Sequence, residues 1–173
     1  MKIPPPCHGW PTSWISKTDY YAYLRPLLYR GWYLAPTPTQ STVLARSFTF
    51  HKPSVATRFS TEILNLTALE KHHPQWLNIA CGASSSRVSL GTTTHSASNA
   101  DNRIVPGITL RDVRFAALVA SLPSAPAEHS DALMDELDES KSWMWFQQVI
   151  HSWPILDETH SRESTTLGGS PQC

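Results

Sequence analysis

Three histidines stand out in the sequence by their neighbours rather than their number. His72 and His73 are adjacent and precede Pro74, and His95 follows a run of threonines, Thr92 to Thr94. Imidazole gains and loses its proton near neutral pH, so a cluster of this kind suits general acid–base chemistry. Two plainer readings compete. A histidine pair just before a proline also fits a helix C-terminus, where imidazolium is favoured by the negative end of the helix dipole. Three histidines could also ligate zinc, but adjacent side chains at one turn rarely converge on a single ion, so no metal site is expected.

These residues can act together only if the chain around them folds back on itself. The spacing predicts a helix from Lys17, with Tyr20, Leu24, Leu27 and Leu28 on one stripe and Gly31 at its end. Trp32-Tyr33-Leu34 begins a short strand. Val43 to Phe50 forms a clearer one, with Leu44, Arg46, Phe48 and Phe50 on the core face and Ala45, Ser47 and Thr49 opposite. A long helix follows, with Ser54 as its expected N-cap. Its apolar face is Val55, Ala56, Phe59, Ile63, Leu66 and Leu69, and Pro74 stops it. His72 and His73 therefore fall at a helix-to-strand turn.

Trp76 to Ile79 reads as a third strand and Arg87 to Thr94 as a fourth, joined by a turn over Cys81–Ser86. Residues 96–107 read as a polar loop. A last core helix opens at Thr109-Leu110-Arg111-Asp112, a capping box with Asp at its fourth position. Its expected buried stripe is Val113, Ala116, Ala117 and Ala120. The order helix, two strands, helix, two strands, helix implies an α+β fold: a four-stranded antiparallel sheet with helices packed on one face.

The string Lys71-His72-His73-Pro74-Gln75-Trp76-Leu77-Asn78 resembles the signature of the pterin-4a-carbinolamine dehydratases. Gly31-Trp32, Phe48-Thr49-Phe50, Arg87-Val88 leading to Thr93-Thr94-His95, and Gly107 to Asp112 resemble further segments of that family in the same order. The resemblance implies a lyase that converts 4a-hydroxytetrahydropterin to quinonoid dihydropterin without a metal or cofactor. One group protonates the departing 4a-hydroxyl and another takes a proton from the ring nitrogen. By position, His72 and His95 are the implied acid–base pair, and His73 binds or orients the pterin. Lys71, Pro74, Trp76, Thr93, Thr94 and Ser96 are the implied substrate-binding residues; Trp76 reads equally well as core. Asp112 is explained by its cap. A homo-oligomer is implied too.

The chain departs from the family in places. A carboxylate usual one helical turn before the first histidine is replaced by Ala68, and insertions fall in the Ala80–Ser86 turn and between His95 and Asp112. These departures sustain an alternative: a catalytically impaired member that binds pterin or acts as a dimerisation or scaffold module.

Composition narrows the remaining classes. Fourteen Lys and Arg balance fourteen Asp and Glu, which argues against a nucleic-acid partner with its clustered basic surface. The charge is uneven, however: Asp19 is the sole acid before Glu62, whereas Glu128, Asp131, Asp135, Glu136, Asp138 and Glu139 crowd one later segment. Cys7, Cys81 and Cys173 are scattered and odd in number, which suits a reducing compartment rather than a disulfide framework. No apolar run is long enough to span a membrane, and the expected location is cytoplasmic, with a mitochondrial transit peptide as the alternative. The expected layout is an irregular extension at 1–17, the dehydratase-like domain at 18–122, and an acidic helical extension with a disordered tail at 123–173.

Overall fold

The structure is a computed structural model that describes residues 2–37, 41–126 and 139–151. Strand β1 (Thr12–Ser13) precedes one helical stretch: α1 (Lys17–Asp19), a π turn (Tyr20–Leu24) and α2 (Arg25–Leu28). The Ser16 side chain caps its start by accepting from the Asp19 amide at 3.1 Å. Gly31 ends the stretch at φ +81, a left-handed backbone that favours glycine. Strands β2 (Tyr33–Pro36) and β3 (Thr42–Phe50), helix α3 (Pro53–Glu70), and strands β4 (Trp76–Cys81) and β5 (Ser86–Thr92) follow. Strands β6 (Thr94–Ser98) and β7 (Ile104–Gly107), then helices α4 (Leu110–Ala120) and α5 (Glu139–His151), complete the described chain.

A four-stranded antiparallel sheet in the order β2-β3-β5-β4 is the frame, as the element order implied. Alternation along β3 divides its faces as expected: Ser47 and Thr49 are exposed, while Phe48 and Phe50 turn inward. Phe59 of α3, fully buried, meets the Phe48 ring at 4.8 Å and the Phe50 ring at 5.2 Å. Burying such a ring contributes roughly 2–3 kcal/mol. Arg46 also lies on the inner face and places its guanidinium 4.6 Å from the Phe48 ring centre, which lets an arginine occupy an apolar layer.

Several local expectations are corrected. Helix α3 begins at Pro53, so Lys52 and not Ser54 is the N-cap; proline suits the first helical position because its missing N–H would have no partner there. Leu69 is exposed rather than part of the apolar face. Ala120 is only half-buried, and Phe115 and Val119 join Val113, Ala116 and Ala117 in the core instead. The fourth strand stops at Thr92 rather than Thr94.

The largest correction concerns residues 96–107. They form not a loop but most of the β6–β7 hairpin, the core of a second, three-stranded sheet in the order β1-β6-β7. The N-terminal segment builds its third strand, with Thr12 beside Ala97 and Ser13 beside Ser98. The Trp14 and Ile15 amides then donate to the Ser98 and Ile108 carbonyls, both at 2.9 Å. Pairing partners so far apart in sequence leave no local trace in a polar segment.

Helix α5 covers the first helical stretch. Tyr20 donates its hydroxyl to the Ser142 carbonyl at 3.1 Å, and its ring meets those of Trp143 and Phe146 at 5.2 and 4.9 Å. Trp143, Phe146 and Ile150 of α5 pack on the core, while the tail expected beyond this helix lies outside the described residues.

Two expectations follow. A Cβ on Gly91 would lie 2.6–2.8 Å from the Trp76 ring, so Gly91→Ala displaces that indole and should cost about 1–3 kcal/mol in urea unfolding. An unchanged midpoint would contradict this packing. Burial pushes the Tyr20 phenol above its ordinary value of 10.0, so its contribution to docking α5 is present below that pH and lost as pH rises past the folded-state value. Trp143 fluorescence should therefore change at strongly alkaline pH in the native protein, and the part of that change due to Tyr20 should vanish in Tyr20→Phe.

Candidate active site

Lys71 ends α3 in the left-handed conformation, φ 50 and ψ 38, with its amide bonded to the Thr67 carbonyl. That reversal turns His72 inward while His73 remains exposed. The His72 side chain keeps only 11% of its exposure, and its Nε2 lies 2.8 Å from Thr92 Oγ1 and 3.0 Å from Asp112 Oδ1. The Phe115 ring meets the imidazole edge-to-face at 5.6 Å and fixes its tilt.

Hydrogen-bond accounting sets the tautomer. Thr92 donates its single hydroxyl hydrogen to Asp112 Oδ1 at 3.0 Å, so toward His72 it can only accept. The Asp112 carboxylate is likewise an acceptor. The hydrogen shared among these three atoms must therefore be carried by Nε2, and the lone pair of the neutral ring falls on Nδ1. His72 is thus held with one nitrogen bound to a carboxylate and the other carrying a free lone pair.

Asp112 does more than cap α4. The capping box expected from sequence is present: Thr109 N donates to Asp112 Oδ2 at 2.9 Å and the Thr109 side chain accepts from the first turn of the helix. The same Oδ2 accepts from Thr109 Oγ1 at 3.0 Å and from Thr94 Oγ1 at 2.8 Å, while Oδ1 receives His72 and Thr92. The side chain is wholly buried. Sequence reasoning assigned Asp112 only a cap and noted a missing carboxylate at Ala68. In the fold Ala68 is exposed, and Asp112, forty positions beyond His72, supplies the carboxylate.

The other expected site residues spread over two sheets. Thr93 is buried at the switch between β5 and β6 and donates to the Gly107 carbonyl at 3.3 Å. His95 is exposed on β6, beside the Thr94 that bonds Asp112, and a register shift falls between Thr94 and Ala97. Such irregularities re-aim side chains. Ser96 is half-buried, as are Pro74 and Trp76, and Lys71 is exposed. Trp76 pairs with Gly91 across β4 and β5 and rests on it, which makes it a packing residue of the sheet edge. Asp112 thus links His72 directly, and the strand carrying His95 through Thr94. No contact joins the two imidazoles.

Sequence reasoning missed two neighbours of His72. Arg114 Nε and Nη2 fork onto Glu70 at 2.7 and 2.9 Å, which strengthens the guanidinium's hold on its proton. Cys7, from the N-terminal segment, lines a cavity with His72, and burial pushes its thiol up while Arg111 and Arg114 pull it down. Among the described residues no group of three or more His, Cys, Asp or Glu is placed to hold a metal ion. No described helix is long and apolar enough to cross a membrane.

Replacing Asp112 by Ala removes the cap and leaves His72, Thr92 and Thr94 without their shared acceptor. Breaking a buried network of this kind should cost roughly 3–5 kcal/mol in urea unfolding. A loss no larger than that of an exposed cap, about 1 kcal/mol, would refute the network.

A similar solved structure is the "transcriptional coactivator/pterin dehydratase from Brucella Melitensis", with 24% sequence identity, 66% of this chain and 100% of that chain covered, and a TM-score of 0.45. No curated protein matches the chain. Residues 13–122, more than half of the sequence, match the family described as Pterin 4 alpha carbinolamine dehydratase. With the signature around His72 and the four-stranded α+β frame in place, the chain belongs to the pterin-4a-carbinolamine dehydratase family.

Proposed function

We propose that this chain is a hydro-lyase that dehydrates 4a-hydroxytetrahydropterin to quinonoid dihydropterin by histidine acid–base catalysis. The observation that carries the reading is the fixed tautomer of His72, with Nε2 committed to Asp112 and Thr92 and Nδ1 left with a lone pair. A general base needs a defined nitrogen and a partner for the charge it acquires, and Asp112 meets the second need. In this reading His72 Nδ1 exchanges one of the two protons and His95, from β6, the other. The hydroxyl leaves as water and the ring nitrogen gives up its proton, so the reaction balances without redox chemistry. His73 and Lys71, exposed at the end of α3, orient the pterin together with Thr93, Thr94 and Ser96. Self-association and a cytoplasmic location are parts of the same proposal.

A second reading has a specific observation in its favour. His95 is exposed on a different sheet from β5 and makes no contact with His72, which fits a family member that binds pterin or partners without turning over. The Ala68 substitution supports this alternative less, because Asp112 already serves His72.

Carbinolamine dehydration followed by ultraviolet absorbance separates the two. The enzyme reading expects acceleration above the spontaneous rate, reduced roughly 10²–10⁴-fold in both His72→Ala and His95→Ala. No acceleration by the folded protein favours the binding module. Acceleration that survives both substitutions removes the histidines from the mechanism.

A further inference from the structure

The N-terminal segment closes over the flank of His72. Two arginines one turn apart on α4 hold it: Arg111 Nη2 donates to the Gly9 carbonyl at 2.8 Å and Arg114 Nη1 to the Pro4 carbonyl at 2.6 Å. Beneath it lies a cavity of about 460 Å³, walled by Cys7 and His8 from the segment, by Lys71 and His72 from the end of α3, and by Arg111. The segment before residue 13 lies outside the part of the chain that matches the family, so this enclosure is built partly from residues the family match does not cover.

The charges around the cavity do not cancel. Glu70 is the one carboxylate in its lining, and both of its oxygens are engaged by Arg114. Among the described residues neither Arg111 nor Lys71 forms an ion pair. Arg111 has its Nε buried with no hydrogen-bond partner. A buried guanidinium N–H left unbonded is costly, and groups of this kind in native structures usually have a partner. Two uncompensated cations, one a planar fork and the other a mobile point charge, match a dianionic oxyacid better than a neutral ring.

We propose that this cavity binds the phosphate group of a small molecule, gripped by Arg111 and Lys71, with His8 of the N-terminal segment as a further donor. The cavity shares His72 and Lys71 with the proposed dehydration site, but phosphate binding is read without turnover and would stand whether or not the dehydratase reading holds.

The test is a titration of the full chain with inorganic phosphate at constant ionic strength maintained by chloride, following the ring signals of His8 and His72 by NMR. Saturable shifts of both are expected. Arg111→Gln should weaken the affinity roughly tenfold or more, as the loss of a charge-assisted bond does. Lys71→Gln should weaken it in the same direction. Lys71 is exposed and its side chain makes no hydrogen bond, so this variant keeps the test decisive if Arg111→Gln does not fold. Unsaturated drift, or an affinity unchanged in the folded variants, would overturn the site. Acetate binding as tightly as phosphate would overturn the assignment of phosphate and make the ligand group a carboxylate.

Discussion

The buried carboxylate of Asp112 is the constraint on which the functional half of the molecule depends. A wholly buried charge is tolerated only when its acceptor capacity is filled. Here it is filled by five donors from four places: the Thr109 amide and hydroxyl at the helix cap, Thr92 at the end of β5, Thr94 at the start of β6, and His72 after α3. Each donor fixes one element relative to the others. The junction between the two sheets, the entry to α4 and the turn after α3 are therefore registered on a single side chain.

That arrangement makes the cap and the site one object. A capping aspartate alone would need only the Thr109 amide, and its remaining lone pairs would face water. By drawing in His72, the structure turns a local helix-start signal into a device that chooses which imidazole nitrogen carries hydrogen. The Phe115 ring packs edge-to-face against His72 beside the same network. Stability and the proposed chemistry meet at this one side chain.

The terminal segments extend the same logic outward. The N-terminal segment is not an idle tail: it adds a strand beside β6, and its carbonyls at Pro4 and Gly9 accept from two arginines of α4. Helix α5 covers Tyr20 on another flank through aromatic contacts and one hydroxyl. Both additions bury surface that the central sheet and its two long helices leave open, and the first of them also encloses the side of His72.

Much of the frame was legible in the amino-acid sequence because it rests on local periodicity. The alternation of Phe48 and Phe50 with Ser47 and Thr49, the helical stripe through Phe59 and Ile63, and the Thr109–Asp112 box each follow from neighbours a few positions apart. The histidine signature placed His72 at a turn for the same reason. What tertiary structure decided lies between residues far apart. The β6–β7 hairpin is a strand pair because the chain's own N-terminus completes it, and no pattern within 96–107 records that partner. Asp112 could be read as a cap from sequence but not as the acceptor for His72, because the two meet only once α3 and α4 pack side by side. Ala68 looked like a missing carboxylate for the mirror-image reason. Short-range spacing is set by backbone geometry and is written in the sequence, whereas the partner of a buried charge is set by which elements the core brings together.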